Sequence, residues 1–297
     1  MKFIKMITLL VLNYNDYENV VSFISAVYNF EVFQYIVVVD NCSTDNSFEA
    51  IQFYINQKRI NQKVHLIKTN KNGGYGFGNN IGLKYAINIL KSQYIVVSNP
   101  DVEFEEEIIL KLKKNLEENR EFGVAAAAMY NTEEKKMYNT ATPIPSKLNY
   151  FFSPEMFFAK VGNGCFYKNI TCWKEDRKEV DCVSGSMLMV KAEAMEKCGF
   201  YDEELFLYGE ELTLGMRMRN VGYKTILLNN EKFIHHHSLS ISKVYKKNIQ
   251  KKKLQINSYY TILKKYYNCG KITIFFSKLI GQLSLFETFL WNKVKYR

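Results

Sequence analysis

Four continuous apolar runs in the first hundred residues are the feature that most constrains the fold of this 297-residue chain. They are "MITLLVLN" at 6–13, "YIVVVD" at 35–40, "VHLIKT" at 64–69 and "YIVVSN" at 94–99. Short, continuous runs rich in β-branched residues are typical of strands that are buried on both faces of a sheet. We therefore predict that these four segments are strands inside one parallel sheet.

Segments with helical patterns lie between and after these runs, near residues 16–29, 47–59, 79–91 and 105–119. A repeated strand–helix–strand pattern with short loops predicts an α/β fold with a Rossmann-like, doubly wound and mostly parallel sheet. Ligands of such sheets bind at the carboxyl ends of the strands. The polar loops that follow the strands are therefore the first candidates for a functional site.

Two aspartates in these loops each allow two interpretations. Asp40 ends the second strand and is either a turn or capping residue, or an acceptor of hydrogen bonds from a nucleobase or ribose. Asp101 follows the fourth strand, and Pro100 fixes the turn before it. Asp101 is either the N-cap of the next helix or a ligand of Mg²⁺ or Mn²⁺, since both ions accept hard oxygen ligands.

The third loop, "NKNGGYGFGNN", contains four glycines between a strand and a helix. Its spacing fits neither the dinucleotide-binding fingerprint nor the P-loop. Two interpretations remain: a turn that lets the chain reverse, or a loop whose backbone approaches a nucleotide sugar closely. In the second interpretation Gly74, Asn79 and Asn80 are candidate donor-binding residues, together with Asn13 at the end of the first strand.

The second half of the chain begins with an aromatic, loop-like stretch at 143–180 and carries two further features. "LYGEELTL" at 207–214 places Glu210 and Glu211 in an apolar run, where a carboxylate is costly unless its charge is used or paired. His235, His236 and His237 are consecutive, so at most two of them share one side of an extended segment. They are either an exposed polar turn or the source of one imidazole that completes a metal site with Asp101.

The order of these motifs resembles that of the family 2 glycosyltransferases, and in particular the rhamnosyltransferase-type enzymes that build bacterial surface polysaccharides. The resemblance covers roughly residues 6–242, and six individually weak motifs in one order make it specific. The motifs are "LLVLNYN", "VVVDNCSTDNS", "NGGYGFGNNIGL", "VVSNPDV", "VSGSMLMVKAEAMEKCGFYDEELFLYGEELTLGMRMRNVGY" and "HHHSLS".

The resemblance implies a GT-A fold, a nucleotide-diphosphate sugar donor, a divalent metal (Mn²⁺ or Mg²⁺) and inversion at the anomeric carbon. The implied acceptor is a hydroxyl of a glycan or lipid-linked glycan, and the 143–180 stretch is expected to shape its site. Asp181 and Gly185, in "VDCVSGSMLMV", are the predicted acceptor-binding residues.

Matched position by position, the resemblance also assigns roles to the charged residues. Asp40 corresponds to the aspartate that reads the base, and Asp101 to the metal-binding aspartate. Glu211 takes the place of the catalytic base, with Glu210 beside it. Arg217 matches an arginine that assists with the diphosphate. The late histidine, a second metal ligand, is matched best by His235, with His237 as the alternative.

One departure from the family pattern leaves other functions open. Family members usually carry Glu-Asp followed by a second Asp two positions on, whereas this chain has Glu210, Glu211 and then Thr213. A degenerate homologue that binds a nucleotide sugar without transferring it is therefore an alternative hypothesis. A nucleotidyltransferase on a similar sheet is a third, although the chain lacks an evident triphosphate loop.

The net charge of +10 is concentrated at the C-terminus. Residues 243–297 contain 13 Lys and Arg against one acid, Glu287, so the preceding 242 residues carry a net charge of −2. We therefore divide the chain into a GT-A domain of residues 1–242 and a basic, helical extension of residues 243–297. The extension is either packed on the main domain or a basic amphipathic surface on anionic lipid. Nucleic acid is not an expected partner, because no recognised nucleic-acid-binding module is present.

Three observations bear on localisation. The six cysteines include no CxxC pair, which predicts reduced thiols in a cytosolic protein. The N-terminal segment has the pattern of a first strand rather than that of a signal peptide. No uninterrupted run reaches the roughly 18 apolar residues of a membrane span. We therefore predict a cytoplasmic protein that is at most peripheral at the inner face of the cell membrane.

Overall fold

The computed structural model describes residues 6–154, 165–236 and 248–295. These residues form an α/β fold around a nine-stranded sheet, with a separate two-stranded sheet made by β7 and β9. The strands are β1 Ile7–Asn13, β2 Tyr35–Asp40, β3 Val64–Lys68, β4 Tyr94–Ser98, β5 Val102–Glu103, β6 Phe122–Tyr130, β7 Ala141–Thr142, β8 Arg177–Val180, β9 Cys182–Val183, β10 Met187–Lys191 and β11 Lys224–His235.

Helices connect these strands, and two long helices follow the last strand. A short 3₁₀ turn, Ile170–Cys172, precedes β8. The α-helices are α1 Tyr17–Val27, α2 Ser47–Lys58, α3 Tyr75–Asn88, α4 Glu106–Glu118, α5 Lys147–Phe152, α6 Ala192–Cys198, α7 Glu210–Asn220, α8 Asn248–Lys265 and α9 Lys271–Lys295.

The strand order is β3-β2-β1-β4-β10-β6-β11-β5, and β8 pairs with β11 outside this order. The first four strands are all parallel, as their continuous apolar sequences predict. β10 enters antiparallel between β4 and β6, whereas β6 and β11 are again parallel. The predicted GT-A type sheet, mostly parallel and flanked by helices, is therefore confirmed.

The sheet is covered on both faces, which explains why its strands are apolar at every position. In β1, Leu9 packs into a core with helices α1, α2 and α4. Its neighbour Leu10 packs into the opposite core with α3, α6 and α7. Both leucines are fully buried, because successive side chains of a strand point to opposite faces. This two-sided core holds the strand ends, and the loops that follow them, in fixed positions.

Three elements differ from the sequence-based expectations. Helix α3 begins at Tyr75, so the glycine-rich segment is mostly the first turn of a helix and not a loop. The stretch 143–180, predicted to be irregular, contains α5 and β8. β6 lies outside the predicted strands because its sequence, "FGVAAAAMY", is rich in alanine, which is depleted in strands, although its central residues are fully buried.

Helix α8 is bonded to the main domain close to the segment that precedes α7. Ser258 Oγ donates a hydrogen bond to the Leu207 carbonyl (2.7 Å). Lys265 Nζ lies 2.9 Å from an Asp202 carboxylate oxygen, and Tyr259 donates to the Phe151 carbonyl. The boundary predicted between residues 242 and 243 lies outside the described residues, but the helices that follow it are tied to the main domain.

Helix α9 corrects one expectation about membranes. Residues Lys271–Trp291 are long and apolar enough to cross a membrane by length and composition, with a mean hydropathy of 1.2 over 21 residues and 17% of the window buried. A search for uninterrupted apolar runs does not find this segment, because Lys278 and several small polar residues interrupt it. Length and composition alone do not place it in a membrane.

The start of α3 makes a testable close contact with the segment before α7. Gly74 has φ +91° and ψ −175°, a conformation that is essentially restricted to glycine. An added Cβ would overlap the Phe206 backbone carbonyl. We predict that Gly74→Ala lowers the free energy of unfolding by about 3 kcal/mol or more. Urea denaturation would measure this loss.

Gly222 offers the matched control for this substitution. It also has a positive φ, +82°, but no atom lies within 4 Å of an added Cβ. Gly222→Ala therefore pays only the backbone strain, about 1 kcal/mol. Equal losses in the two variants would contradict the proposed overlap with Phe206.

Candidate active site

A cleft of about 330 Å³ opens at the carboxyl ends of the parallel strands. One group of lining residues comes from the loops after β1, β2, β3 and β4, where the sequence predicted a site. This group is Leu12, Tyr14, Asp16, Asn41, Asn72, Asn99, Pro100 and Asp101. The other group comes from the start of α3 and from the second half of the chain. It is Gly74, Tyr75, Gly185, Ser186, Phe206, Leu207, Tyr208, Gly209, Glu210, Glu211 and His235.

Asp101 and His235 meet in this cleft because β11 pairs antiparallel with β5, which places His235 opposite Val102. His235 Nε2 lies 3.2 Å from Asp101 Oδ1, and its Nδ1 lies 3.2 Å from Ser186 Oγ. Both side chains are largely buried. Ser186 thus fixes the orientation of the imidazole, so that its other nitrogen faces the carboxylate.

The Asp101–His235 pair fits a divalent cation as two neighbouring ligands. In an octahedral site with metal–ligand distances near 2.1 Å, adjacent ligand atoms are roughly 3 Å apart. A carboxylate oxygen together with an imidazole nitrogen suits Mn²⁺. Within 6–154, 165–236 and 248–295, no group of three His, Cys, Asp or Glu side chains forms a complete metal site.

The three consecutive histidines do not share one environment. His235 faces Asp101, whereas His236 is exposed and its Nε2 lies 3.1 Å from a Glu103 carboxylate oxygen. His237 lies outside the described residues. The geometry is compatible with His235 as a ligand, and the choice between His235 and His237 stays a prediction.

Glu211 is held at the start of α7 by the backbone of the segment before β10. Gly185 N–H donates a hydrogen bond to Glu211 Oε1 (3.2 Å). The Gly185 carbonyl in turn accepts a hydrogen bond from the Tyr75 hydroxyl (2.8 Å). Burial raises the pKa of Tyr75, so this phenol remains a donor at neutral pH. The glutamate is therefore oriented within the cleft by a backbone amide.

Glu210 has a different environment from its neighbour. Only 5% of the residue is exposed, and its Oε1 is buried with no hydrogen-bond partner among the described residues. Burial raises the pKa of the Glu210 carboxyl to about 8, and the adjacent charge of Glu211 adds to the rise. Glu210 is therefore mostly protonated at neutral pH.

Thr213, where the family pattern has a second acid, is fully buried one turn into α7. Its hydroxyl donates to the Glu210 carbonyl (3.2 Å). The hydroxyl is thus satisfied within the helix, and no third carboxylate approaches the Glu210–Glu211 pair from this position.

Asp40 lies beside the cleft and not on its surface. It is fully buried, and its carboxylate accepts hydrogen bonds from Asn13 Nδ2 (2.7 Å) and from the Ser43 hydroxyl and backbone amide. The next residue, Asn41, lines the cleft and donates from Nδ2 to Asn72 Oδ1 and to the Gly74 carbonyl. In this arrangement Asp40 and Asn13 support the loop after β2. Direct contact of either with a nucleobase stays a prediction.

Asn79 and Asn80 lie on α3 outside the cleft lining. Asn79 Nδ2 donates to the Tyr75 carbonyl within the helix. Asn80 Nδ2 donates to the Tyr201 carbonyl, and its Oδ1 accepts from the Tyr201 amide. Asn80 therefore joins α3 to the segment that leads into α7. The donor-binding role of both residues stays a prediction.

Arg217 and Asp181 also lie outside the lining. The Arg217 guanidinium donates to the carbonyls of Gly199 and Phe200. The Asp181 carboxylate accepts from the Ile144 amide (2.8 Å) and lies 3.4 Å from the Arg219 guanidinium. Their predicted roles, toward the diphosphate and the acceptor, remain predictions, whereas Gly185 does line the cleft.

Several residues of the cleft were not singled out by the sequence. Tyr75 orients Glu211 through Gly185, Ser186 contacts His235 directly, and Asn72 joins the loops after β2 and β3. "SGS" at 184–186, directly before a strand, was the available signal for Ser186. The contribution of Tyr75 had no comparable signal, because its partner is a backbone carbonyl 110 residues away.

Known structures and sequences agree with this architecture. A mannosyltransferase, PcManGT, from Pyrobaculum calidifontis, solved with GDP-Man and Mn²⁺, has the same fold, with a TM-score of 0.60 over 97% of this chain and 74% of that protein at 13% identity. The fold is thus the GT-A type. The model of "Glycosyl transferase family 2" matches residues 8–199. The chain therefore belongs to glycosyl transferase family 2.

Two curated relatives carry specific names. The chain is 27% identical over 216 residues to the "Low-salt glycan biosynthesis hexosyltransferase Agl10" of Haloferax volcanii, covering 72% of this chain and 61% of that protein. It is 25% identical over 217 residues to the "N-acetylglucosaminyl-diphospho-decaprenol L-rhamnosyltransferase" of Mycobacterium tuberculosis, covering 68% and 66%. The chain thus spans somewhat less than two thirds of the length of either relative.

The raised pKa of Glu210 predicts a pH dependence of stability. An unfolded glutamate has a pKa near 4.3, so unfolding releases the Glu210 proton between about pH 4.3 and pH 8. The free energy of unfolding therefore falls as pH rises through this window, by at most about 1.4 kcal/mol per pH unit. We predict that Glu210→Gln removes this part of the decline, as measured by urea denaturation at about pH 5 and pH 8.

Glu196, an exposed glutamate on α6, supplies the matched control. Glu196→Gln is expected to retain the pH dependence of the wild type. If Glu210→Gln and the wild type lose stability in parallel as pH rises, Glu210 is ionised in the folded protein and the assignment is wrong.

Proposed function

We propose that this protein is a metal-dependent, inverting glycosyltransferase that moves a sugar from a nucleotide-diphosphate donor to a hydroxyl of a glycan acceptor. The observation that carries the proposal is the convergence of Asp101, His235 and Glu211 on one cleft at the strand ends. This reaction needs one carboxylate that binds a cation and a second carboxylate that accepts a proton. The two are held on separate elements of one cleft.

In the proposed mechanism Glu211 is the catalytic base. A sugar hydroxyl is a weak nucleophile, and an inverting transfer requires one positioned base on the face opposite the leaving group. The Gly185 amide holds one oxygen of Glu211 and leaves the other to accept the acceptor proton. Glu210, protonated in its apolar surroundings, does not compete for that proton. The protonation of Glu210 supports Glu211 as the base.

Asp101 and His235 are the residues that would hold the divalent cation. When bound, such a cation supplies charge neutralisation for the diphosphate leaving group. Ser186 keeps the His235 imidazole turned toward Asp101. The Mn²⁺ in the PcManGT complex supports a divalent ion in this fold, and whether Mn²⁺ or Mg²⁺ serves here is a matter for experiment.

The relatives support a lipid-linked acceptor. The name of the M. tuberculosis relative specifies a diphospho-decaprenol acceptor, and that of the H. volcanii relative places it in glycan biosynthesis. We infer by analogy that this protein extends a lipid-linked glycan from the cytoplasmic side, as a step in the synthesis of a surface polysaccharide.

The second candidate is a homologue that binds the nucleotide sugar without transferring it. Its specific support is Thr213, which leaves the Glu210–Glu211 pair without the additional acid of the family pattern. Binding alone predicts a rise in Tm with nucleotide sugars, but no release of nucleoside diphosphate.

Turnover tests the assignment of Glu211. A panel of nucleotide sugars would first be screened by thermal shift with Mn²⁺, and nucleoside diphosphate release would then be followed for those that bind. We predict that Glu211→Gln lowers the rate by about 10²- to 10⁴-fold and leaves the thermal shift unchanged, because the substitution keeps the shape of the side chain. Glu196→Gln is the control and should match the wild type.

Two results would separate the candidates. Equal rates for the wild type and Glu211→Gln would remove Glu211 as the base. A thermal shift with a nucleotide sugar, but no release of nucleoside diphosphate by the wild type with any acceptor, would favour the binding homologue.

The metal site has its own test, with a matched control one residue away. We predict that Asp101→Asn and His235→Gln each weaken the Mn²⁺-dependent part of the thermal shift with nucleotide sugar, raising the Mn²⁺ concentration required by about tenfold or more. His236→Gln should leave it unchanged, because the His236 imidazole contacts Glu103 and not Asp101. Loss of Mn²⁺ dependence in His236→Gln alone would place the metal elsewhere.

A further inference from the structure

Helix α9 turns its small residues toward the protein, whereas a surface helix is expected to turn its large apolar residues inward. The residues that it buries are small: Ser277, Gly281 and Ser284. Most of its large apolar side chains are exposed instead. A surface helix of a globular protein normally turns its apolar stripe toward the core and its polar side toward solvent.

The small residues allow a close contact between α9 and α8. A Cβ at Gly281 would come within 3.0 Å of Ile256 Cγ2 and would also overlap the Tyr260 side chain. The Ser284 hydroxyl donates to the Pro154 carbonyl (2.6 Å), and the Ser277 hydroxyl donates to the Ile274 carbonyl within the helix. The two serine hydroxyls of the inner face thus have hydrogen-bond acceptors, as in helix contacts made in an apolar medium.

The exposed side chains form one continuous surface, which we call the apolar stripe. Its residues are spaced by three and four positions, so they lie on one side of the helix. They are Ile272, Phe276, Leu279, Leu283, Phe286 and Leu290, with exposed fractions between 44% and 75%. Trp291, 61% exposed, lies next to the end of the stripe. An apolar surface of this extent marks an interaction site.

The charges around the apolar stripe favour anionic lipid as its occupant. Lys271 and Lys278 are exposed on α9 beside the stripe, and Lys253 and Lys264 are exposed on α8. Residues 243–297 carry one acid, Glu287, against 13 basic residues. Two copies of such a segment would repel each other, whereas an anionic lipid surface attracts it. A second copy of this chain is therefore the less favourable occupant.

The packing also decides how α9 meets the lipid. By length and composition the helix could span a membrane. However, its inner face packs closely against α8 at Gly281, and α8 carries lysines and is itself bonded to Leu207 and Asp202. A spanning α9 would have to leave these contacts or draw charged residues into the hydrocarbon. A helix that lies in the plane of the interface keeps them.

We propose that the apolar stripe of α9 docks in the headgroup region of an anionic membrane, with α9 parallel to the surface and α8 between it and the catalytic cleft. Helix α8 contacts the cleft wall through two residues. Ser258 donates to the Leu207 carbonyl, and Ile262 Cδ1 lies so close to Gly209 that it would overlap a Cβ added there. Docking therefore places the cleft at a fixed distance from the lipid surface. The docking stands independently of the proposed transferase activity.

Co-sedimentation with vesicles tests the proposal. The full chain would be mixed with vesicles of phosphatidylcholine containing phosphatidylglycerol at about one part in three, without any glycan acceptor. The test variant is the triple substitution Phe276→Ser, Leu283→Ser and Phe286→Ser. The matched control replaces three exposed apolar residues elsewhere, Phe53→Ser, Ile89→Ser and Leu148→Ser. We expect wild type and control to bind, and the stripe variant to bind at least about tenfold more weakly.

A charge arm and a spectroscopic arm complete the test. Lys271→Glu with Lys278→Glu should weaken binding to anionic vesicles, and wild-type binding should fall with salt. With Trp173→Phe, Trp291 is the only tryptophan left, and its emission should shift to shorter wavelength when vesicles are added. Wild-type binding that is unaffected by the stripe substitutions would overturn the proposal.

The competing occupant has a distinct outcome. If the wild type does not bind vesicles and light scattering shows a dimer that the stripe variant loses, the stripe is a self-association surface and the proposal is wrong. The release of nucleoside diphosphate from a soluble donor is measured without vesicles. Failure of lipid docking is therefore distinguishable from failure of the proposed function.

Discussion

The geometry of the cleft depends on how the backbone of the short segment Phe206–Gly209 is held. The Tyr75 amide donates to the Phe206 carbonyl (3.0 Å) from the start of α3, and Ser258 of α8 donates to the Leu207 carbonyl. Tyr208 and Gly209 then both have positive φ, +74° and +91°. Such strain persists only where the surroundings over-determine the backbone. Two helices from distant parts of the chain hold this segment, and α7 with its two glutamates begins directly after it.

The position of Glu210 and Glu211 at the start of α7 explains why these two chemically identical residues have different environments. At the first turn of a helix, successive side chains point about 100° apart, so Glu210 and Glu211 face different surroundings. Glu211 meets the Gly185 amide, which stabilises its charge. Glu210 meets apolar side chains, and its buried Oε1 finds no hydrogen-bond donor within the described residues. Glu210 therefore retains its proton at neutral pH.

Some residues of this cleft could be predicted from the sequence, and others could not. Asp101, Glu211 and His235 could be placed in one cleft because each lies at the end of a strand or the start of a helix, where topology fixes position. The helical start at Tyr75 could not be predicted, because Gly76 and Gly78 have a low helix propensity. These glycines are accommodated in the helix because neighbouring segments pack closely against it. A Cβ on Gly76, for example, would lie 3.1 Å from Tyr201 Cβ. Likewise, the alanine-rich β6 becomes a strand only because β10 and β11 enclose it.

The arrangement of the C-terminal helices could also be predicted only in part from the sequence. Charge counting separates residues 243–297 from the rest of the chain, yet the structure bonds α8 to the segment that precedes α7. A helical period alone cannot tell which side of α9 faces the protein, since apolar spacing is equally consistent with a buried and an exposed stripe. The small residues at 277, 281 and 284 decide it, because only that side lets α9 approach α8 closely. The side left outward is then the apolar one, which requires a partner that is not water.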